Sequence, residues 1–285
     1  MKKQTVRVGG VPEHFNLPWH FALKDQRFEQ AGLDVRWQDE PGGTGAMMEL
    51  LRTGQLDVAI ALTEGVVAEI VRRGSCRIVQ YYVRSPLTWG VHVAASSGYQ
   101  SVAELENATF AISRRGSGSH LMAYVMAQAQ GWNTGALNFE VVGNLAGARA
   151  ALSAGRAQGF MWEKFTTQPL VTQGEFRRVG IFDTPWPCFV IAVRQEFLQN
   201  HRGEISALLQ TVNQATREFR ALPDVVSRIA AYANLSEDEA QEWLAYTAWS
   251  DGQQIEKATL EGVMRLLFDL KITDQMLAPE ALIGG

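Results

Sequence analysis

Between Phe110 and Met126 the chain reads "FAISRRGSGSHLMAYVM": a short apolar run, two arginines, alternating Gly and Ser, a histidine, then apolar residues at helical spacing. Strand, small-residue loop and helix in that order leave unpaired N–H groups at a helix start, where a ligand oxygen can sit. Ser117 and Ser119 are the candidate hydroxyl contacts, and Gly116 and Gly118 keep the backbone open. His120 falls in the first helical turn, where the dipole favours a neutral imidazole. The competing possibility is a plain helix cap with a packed histidine. Arg114 and Arg115 are adjacent, so at most one points inward, and a solvated surface role is expected for either.

Three further stretches carry candidate groups. In "PGGTGAM", Gly43 lets the backbone approach a ligand and Thr44 adds a hydroxyl, unless the segment is only a tight turn. In "GFMWEKF", strand alternation puts Phe160 and Trp162 on one side and Glu163 on the other. Glu163 then suits an amine, a ring N–H or a hydroxyl, or else pairs with Lys164; Trp162 offers a flat face or fills the core. His14, Phe15, Trp19, Trp89, Trp162 and Trp186 all fall in or beside expected loops, and Glu13 and Glu64 add acid. Aromatic faces with carboxylates disfavour a bare inorganic anion. They favour a small polar organic ligand with an acidic or polar end and an N–H end, such as a nitrogen heterocycle or an aminosulfonate.

Covalent and metal chemistries find no support. There is no G-x-S-x-G elbow, no H-E-x-x-H and no C-x-x-C. Cys76 and Cys188 are far apart and are expected as buried thiols. No cofactor and no metal are called for. Acid–base work by Glu13, His14, Glu64, His120 or Glu163 is the enzymatic alternative to binding.

Length and composition allow two domains: 285 residues, 46% hydrophobic, 20% charged, net charge −4. No basic run or RNP-like motif suggests nucleic acid. No apolar stretch is long enough to cross a membrane. "MKKQTVRVGGVPEHF" has lysines but no apolar core after them, so no secretory leader is expected. The chain is expected in the cytoplasm if Met1 is its native start, and in the periplasm if a leader has been removed.

The elements that must position these groups alternate. "TVRVGG", "LDVRWQDE", "LDVAIAL" and "CRIVQYYV" read as strands. "LPWHFALKDQRFEQAG", "GAMMELLRTG" and "TEGVVAEIVRRG" read as the helices between them. This predicts an α/β fold with mainly parallel sheets. The pattern is interrupted near Ser85–Gly90 and again near Thr184–Phe189. A second α/β lobe, residues 86–188, is therefore expected inside a first made of 1–85 and 189–285. The last hundred residues read as a helical C-terminal segment; Ile205, Leu208, Leu209, Val212 and Phe219 share one stripe.

"EQAGLDV", "GGTGAMMELLRTGQLDVAIAL", "RRGSGSHLMAYVMAQAQGW" and "FLQNHRGEISALL" resemble the type II periplasmic-binding-protein family. The branch they resemble holds the sulfonate, nitrate and thiamine-precursor binders, and in particular its signal-less, apparently cytosolic members in bacteria and fungi. The resemblance implies a two-lobe clamshell whose cleft closes on a small molecule, with an ABC permease as partner if the chain is exported. It places Ser117, Ser119, His120, Trp162 and Glu163 at that cleft. Fungal pyrimidine-synthase relatives carry a Schiff-base lysine and a histidine after the third strand. The matching positions here are Ala61 and Gly65. Of their cysteine-rich run only Cys188 is present, and the desulfinase relatives' cysteine after the first strand has no counterpart.

Overall fold

A computed structural model describes residues 3–252 and 254–284. The backbone divides into two compact units, one made of the residues up to Ser85 and from Trp186 onward, the other of Pro86–Pro185. Trp186, Pro187 and Cys188 thus belong to the first unit.

The first unit begins β1 (Gln4–Gly10), α1 (Leu17–Lys24), α2 (Arg27–Gln30), β2 (Leu33–Asp39), α3 (Gly43–Arg52), β3 (Val58–Leu62), α4 (Thr63–Arg73) and β4 (Cys76–Val83). The single helix expected over 17–32 is two helices. Gln26 takes a left-handed φ of 55° and ends α1. The second unit holds β5 (Thr88–Ala94), β6 (Thr109–Ile112), α5 (Gly118–Ala129), β7 (Asn138–Val141), α6 (Leu145–Ser153), β8 (Gly159–Glu163), α7 (Gln168–Thr172) and β9 (Phe176–Asp183). The chain then returns to the first unit with β10 (Phe189–Arg194), α8 (Gln195–Asn200), α9 (Arg202–Arg220), α10 (Val225–Ala233), α11 (Glu237–Tyr246) and α12 (Lys257–Asp269).

Each unit is built on a five-stranded sheet, ordered β2-β1-β3-β10-β4 in the first and β7-β6-β8-β5-β9 in the second. β10 runs antiparallel to both neighbours, and so does β5. The remaining strands of each sheet point one way, so the sheets are mixed. In each unit the reversed strand is the one the chain enters after crossing over.

The strand order fixes where function can sit. From β1 the chain winds to β2 on one side; from β3 it winds to β4 on the other. The same reversal occurs between β6 and β8. Such switch points leave a crevice beyond the carboxyl ends of the two strands, and ligands of open α/β sheets bind there. Each unit therefore has one, flanked by the loops after β1 and β3, and by the loops after β6 and β8.

The apolar core of the first unit is dense where the C-terminal helices cover it. The α9 stripe is buried as Ile205, Leu208, Leu209, Val212 and Phe219. Gln80 and Asn213 meet there through paired amide bonds of 2.6 and 3.0 Å, which satisfies two groups that burial would otherwise penalise. In the second unit, Phe160 packs with Ala111 and with Ala148, Ala151 and Leu152 of α6.

Candidate functional site

In the second unit, β6 ends at Ile112 and the loop Ser113–Ser117 leads into α5. Ser117 is the N-cap: its Oγ accepts the His120 amide at 3.3 Å. Ser119 Oγ accepts the Ser113 amide at 3.1 Å and lies 3.0 Å from Ser117 Oγ. Each hydroxyl has one proton. One proton joins the two oxygens, which leaves the other hydroxyl proton unused by the loop. The amides of Gly118 and Ser119, in the first turn, likewise have no acceptor among the described residues.

His120 is 6% exposed and packs edge-on against Tyr124 and Phe139. Its Nδ1 accepts the Gly116 amide at 3.0 Å, so the neutral ring carries its proton on Nε2. Burial, helped by the Arg115 charge, pushes its pKa down to about 4. Nε2 is buried without a partner.

Arg114 overturns one expectation. It is half-buried, pairs with no carboxylate among the described residues, and burial lowers its pKa. Arg115 is the exposed one of the pair, 5.9 Å from the Phe139 ring centre. Sequence reasoning treated the two arginines alike. The signal it passed over is position: Arg114 stands two residues beyond a strand end at a switch point.

Glu163 closes β8 and is 4% exposed. Its Oε2 accepts the Thr166 amide at 2.6 Å and the Thr166 hydroxyl at 2.8 Å, so it braces the turn after β8. Burial raises its pKa against those bonds and the nearby Arg178 charge. The β5–β8 register sets Trp89 opposite Glu163, on the same face of the sheet. Trp89 is buried with no partner for its indole N–H. Trp162 faces the other way, stacked on Phe160 at 5.4 Å and packed against the α6 side. The loop after β6 thus carries Arg114, Ser117, Ser119 and His120, and the end of β8 with its neighbour β5 carries Glu163 and Trp89 on one sheet face, while Trp162 lies on the opposite face.

In the first unit, the loop after β1 holds Glu13, His14 and Phe15. Glu13 is partly exposed; the two rings are not free to meet a ligand. His14 is 2% exposed and stacks against Phe15 and Trp243, with ring centres 5.2 and 4.2 Å away. Burial pushes its pKa down to about 3. Phe15 packs on Phe189 and Trp243, and its carbonyl accepts the Tyr82 hydroxyl and the Trp249 indole at 2.7 and 3.0 Å. Rings expected at a loop surface are core here because the C-terminal segment, through Trp243 and Trp249, covers that loop. Trp19 is corrected for the same kind of reason: fully buried, it packs against Phe28, Trp37 and Tyr82.

Gly43 opens α3 with a φ of +70°, which explains the glycine without a ligand. The Thr44 hydroxyl accepts the Leu62 amide at 3.1 Å, which ties α3 to the end of β3. Its methyl sits where a Cβ on Gly65 would fall, 2.5 Å away, so α3 and α4 touch through that missing side chain.

Glu64, in the first turn of α4, is 3% exposed. Its Oε2 accepts the Trp186 indole N–H at 3.0 Å, and its Oε1 has no partner among the described residues. Burial raises its pKa to about 7, against the pull of its own amide and the indole. Trp186 is buried beside it, and Thr63 donates to the Pro187 carbonyl at 2.5 Å. The segment entering β10 is therefore fastened to the start of α4. Cys76 and Cys188 are both buried and are not joined in a disulfide. Among the described residues no group of acids, histidines and cysteines could hold a metal ion.

The fold and part of the sequence match known proteins. Residues 89–182 match the family model for Ca3427-like PBP. The Candida albicans CA3427 gene product, described as defining a new family with the generic periplasmic binding protein fold, superposes with a TM-score of 0.89 at 24% identity, over 98% of this chain and 93% of that one. The alkanesulfonate-binding protein SsuA from Xanthomonas axonopodis pv. citri, bound to MOPS, matches with a TM-score of 0.83 at 16% identity, over 99% of both chains. The nitrate-binding protein NrtA from Synechocystis PCC 6803 matches with a TM-score of 0.76 at 13% identity, over 99% of this chain and 85% of that one. No curated protein matches the chain by sequence. The chain has the periplasmic-binding-protein fold, shared with sulfonate and nitrate binders, and most of its second unit matches the Ca3427-like model.

Proposed function

We propose that the chain binds a small polar organic ligand and holds the ligand's anionic or oxygen-rich end on the loop Ser113–His120. The observation that carries this is the set of unused donors after β6: two first-turn amides, one serine hydroxyl proton, and an arginine with no carboxylate partner. They converge on a switch point and a helix start, both of which favour oxygen atoms. Glu163, in the same unit, adds acceptor character, which suits a ligand that also carries an N–H group: an aminosulfonate, a nitrogen heterocycle or a thiamine-precursor-like ring. The sulfonate- and nitrate-binding neighbours support the class. Handing the ligand to an ABC permease belongs to this proposal if the chain is exported; in the cytoplasm it would act as a soluble receptor.

One observation favours a second possibility. A carboxyl titrating near 7, as Glu64 does, is suited to general acid–base work on a bound ligand. Native mass spectrometry of freshly purified protein separates the two: a co-purifying molecule that stays unchanged on incubation supports binding, and one that is converted supports catalysis. Calorimetry with that molecule then tests the site. Ser117→Ala or Ser119→Ala should lose about 0.5–1.5 kcal/mol of binding, and Arg114→Ala about 1.5–3 kcal/mol. Folded variants that all bind like the parent would place the ligand elsewhere.

A further inference from the structure

Glu64 is a buried carboxyl with one oxygen engaged and one not. Its Oε2 is fixed by the Trp186 indole, and Oε1 has neither solvent nor a donor. Removing an acceptor from water without a partner is costly, and more so when it carries charge. The side chain stands at the end of β3, on the flank of the first unit's switch point, the place in that sheet where a ligand is expected.

Among the described residues no counter-charge is paired with it. From α3 the near group is Thr44, whose hydroxyl is already an acceptor for Leu62. From the segment before β10 they are Trp186 and the buried Cys188, and from β10 the apolar Phe189. The other charged residues of α3 and α4 are engaged elsewhere: Arg52 with Glu49 and Glu69, Glu69 also with Arg73, and Arg72 with the Ile272 carbonyl. No charged side chain enters the titration of Glu64.

We propose that Glu64 is the receptor for a protonated nitrogen, with Oε1 accepting an N–H from an ammonium, amidinium or protonated heterocycle while Oε2 stays on the Trp186 indole. The inference rests on the reading of the chain as a binder of small polar molecules and names the chemistry of a nitrogen site within the first unit. The helix start works with it: the dipole of α4 favours the ionised carboxylate, and the bound cation completes its neutralisation. Below neutrality the step is an exchange. The Glu64 carboxyl gives its proton to solvent, the N–H cation takes its place against Oε1, and the nitrogen keeps all its protons. Binding therefore releases up to one proton, and an N–H cation must lower the pH at which Glu64 titrates.

The test uses the intact chain with carbon-13 label in the glutamate carboxyls and methylammonium chloride as probe. The Glu64 resonance is assigned as the one lost in Glu64→Gln, or in Glu64→Asp if the first variant folds poorly. Methylammonium should lower its titration midpoint by about half a pH unit, a roughly threefold change in proton affinity, relative to sodium chloride of equal ionic strength. Tetramethylammonium, which has the charge and no N–H, should leave it near the sodium value. A midpoint that methylammonium does not move, or that both cations move equally, overturns the proposal. If the calorimetry above finds a ligand on the Ser113–His120 loop while Glu64 ignores methylammonium, only this inference falls. If Glu64 responds and no ligand is found, the loop reading falls and the nitrogen site stands.

Discussion

Replacing Glu64 by Gln turns its burial into a measurable pH dependence. The folded protein holds this carboxyl's proton up to about pH 7, whereas an ordinary glutamate releases it near 4.5. Between those values the folded state binds a proton that the unfolded chain has lost, so stability falls as pH rises. At about 1.4 kcal/mol per pH unit, the span costs the parent about 3 kcal/mol by pH 8 relative to pH 4.5. Gln keeps the oxygen that accepts from Trp186 and has nothing to ionise. The variant should therefore match the parent near pH 4.5 and exceed its unfolding free energy by up to about 3 kcal/mol at pH 8. Urea unfolding at half-unit steps from pH 4.5 to 8.5, with linear extrapolation, gives both curves. The buried histidines act with the opposite sign. His14 and His92 stay neutral down to about pH 3 and His120 down to about 4, so they add stability as pH rises towards 6.5. Both proteins carry them, and the difference curve removes them. Parallel curves across the range would mean that Glu64 is ionised and solvated at neutrality, and the argument from its burial would be wrong.

Other substitutions follow from the same geometry. Trp19→Ala removes a fully buried ring packed on Phe28, Trp37 and Tyr82, and should cost about 3–5 kcal/mol in urea unfolding; a loss below about 1 kcal/mol would return it to the candidate site. Ser117→Ala takes away the cap of α5 and should cost about 1 kcal/mol of stability in addition to its effect on binding. Asn213→Leu strands the buried Gln80 amide and should destabilise by about 1–3 kcal/mol, with Gln80→Leu in the same chain restoring part of the loss.

Much of the architecture is local, and local signals were enough for it. Alternating apolar runs and helical stripes, with Gly32, Gly74 and Gly155 closing helices, mark the strands and helices of an α/β chain before any tertiary contact is considered. The Gly/Ser loop before α5 announces its cap in the same way: Ser117 needs only the backbone three residues on. Where a short-range rule misled, the cause was also local. Gln26 in a left-handed conformation splits a helix that periodicity alone would run through.

What faces a ligand was a different matter, because burial is set by elements distant in sequence. His14 and Phe15 lie in a loop, and it takes Trp243 and Trp249, more than 200 residues later, to cover them. Trp19 is core because β2 and β4 supply Trp37 and Tyr82. The direction of β5 and β10, and hence the mixed sheets, depends on how each strand is inserted after a crossover, β10 between β3 and β4 and β5 between β8 and β9, which no residue window records. Arg114 and Arg115 are alike in type and adjacent in sequence; packing alone left one half-buried and without an acid. Glu64 shows the same division. Its residue type and its place after a strand were legible, but the titration near 7 arises only from burial in the folded chain, and the partner of its Oε2, Trp186, stands 122 positions away.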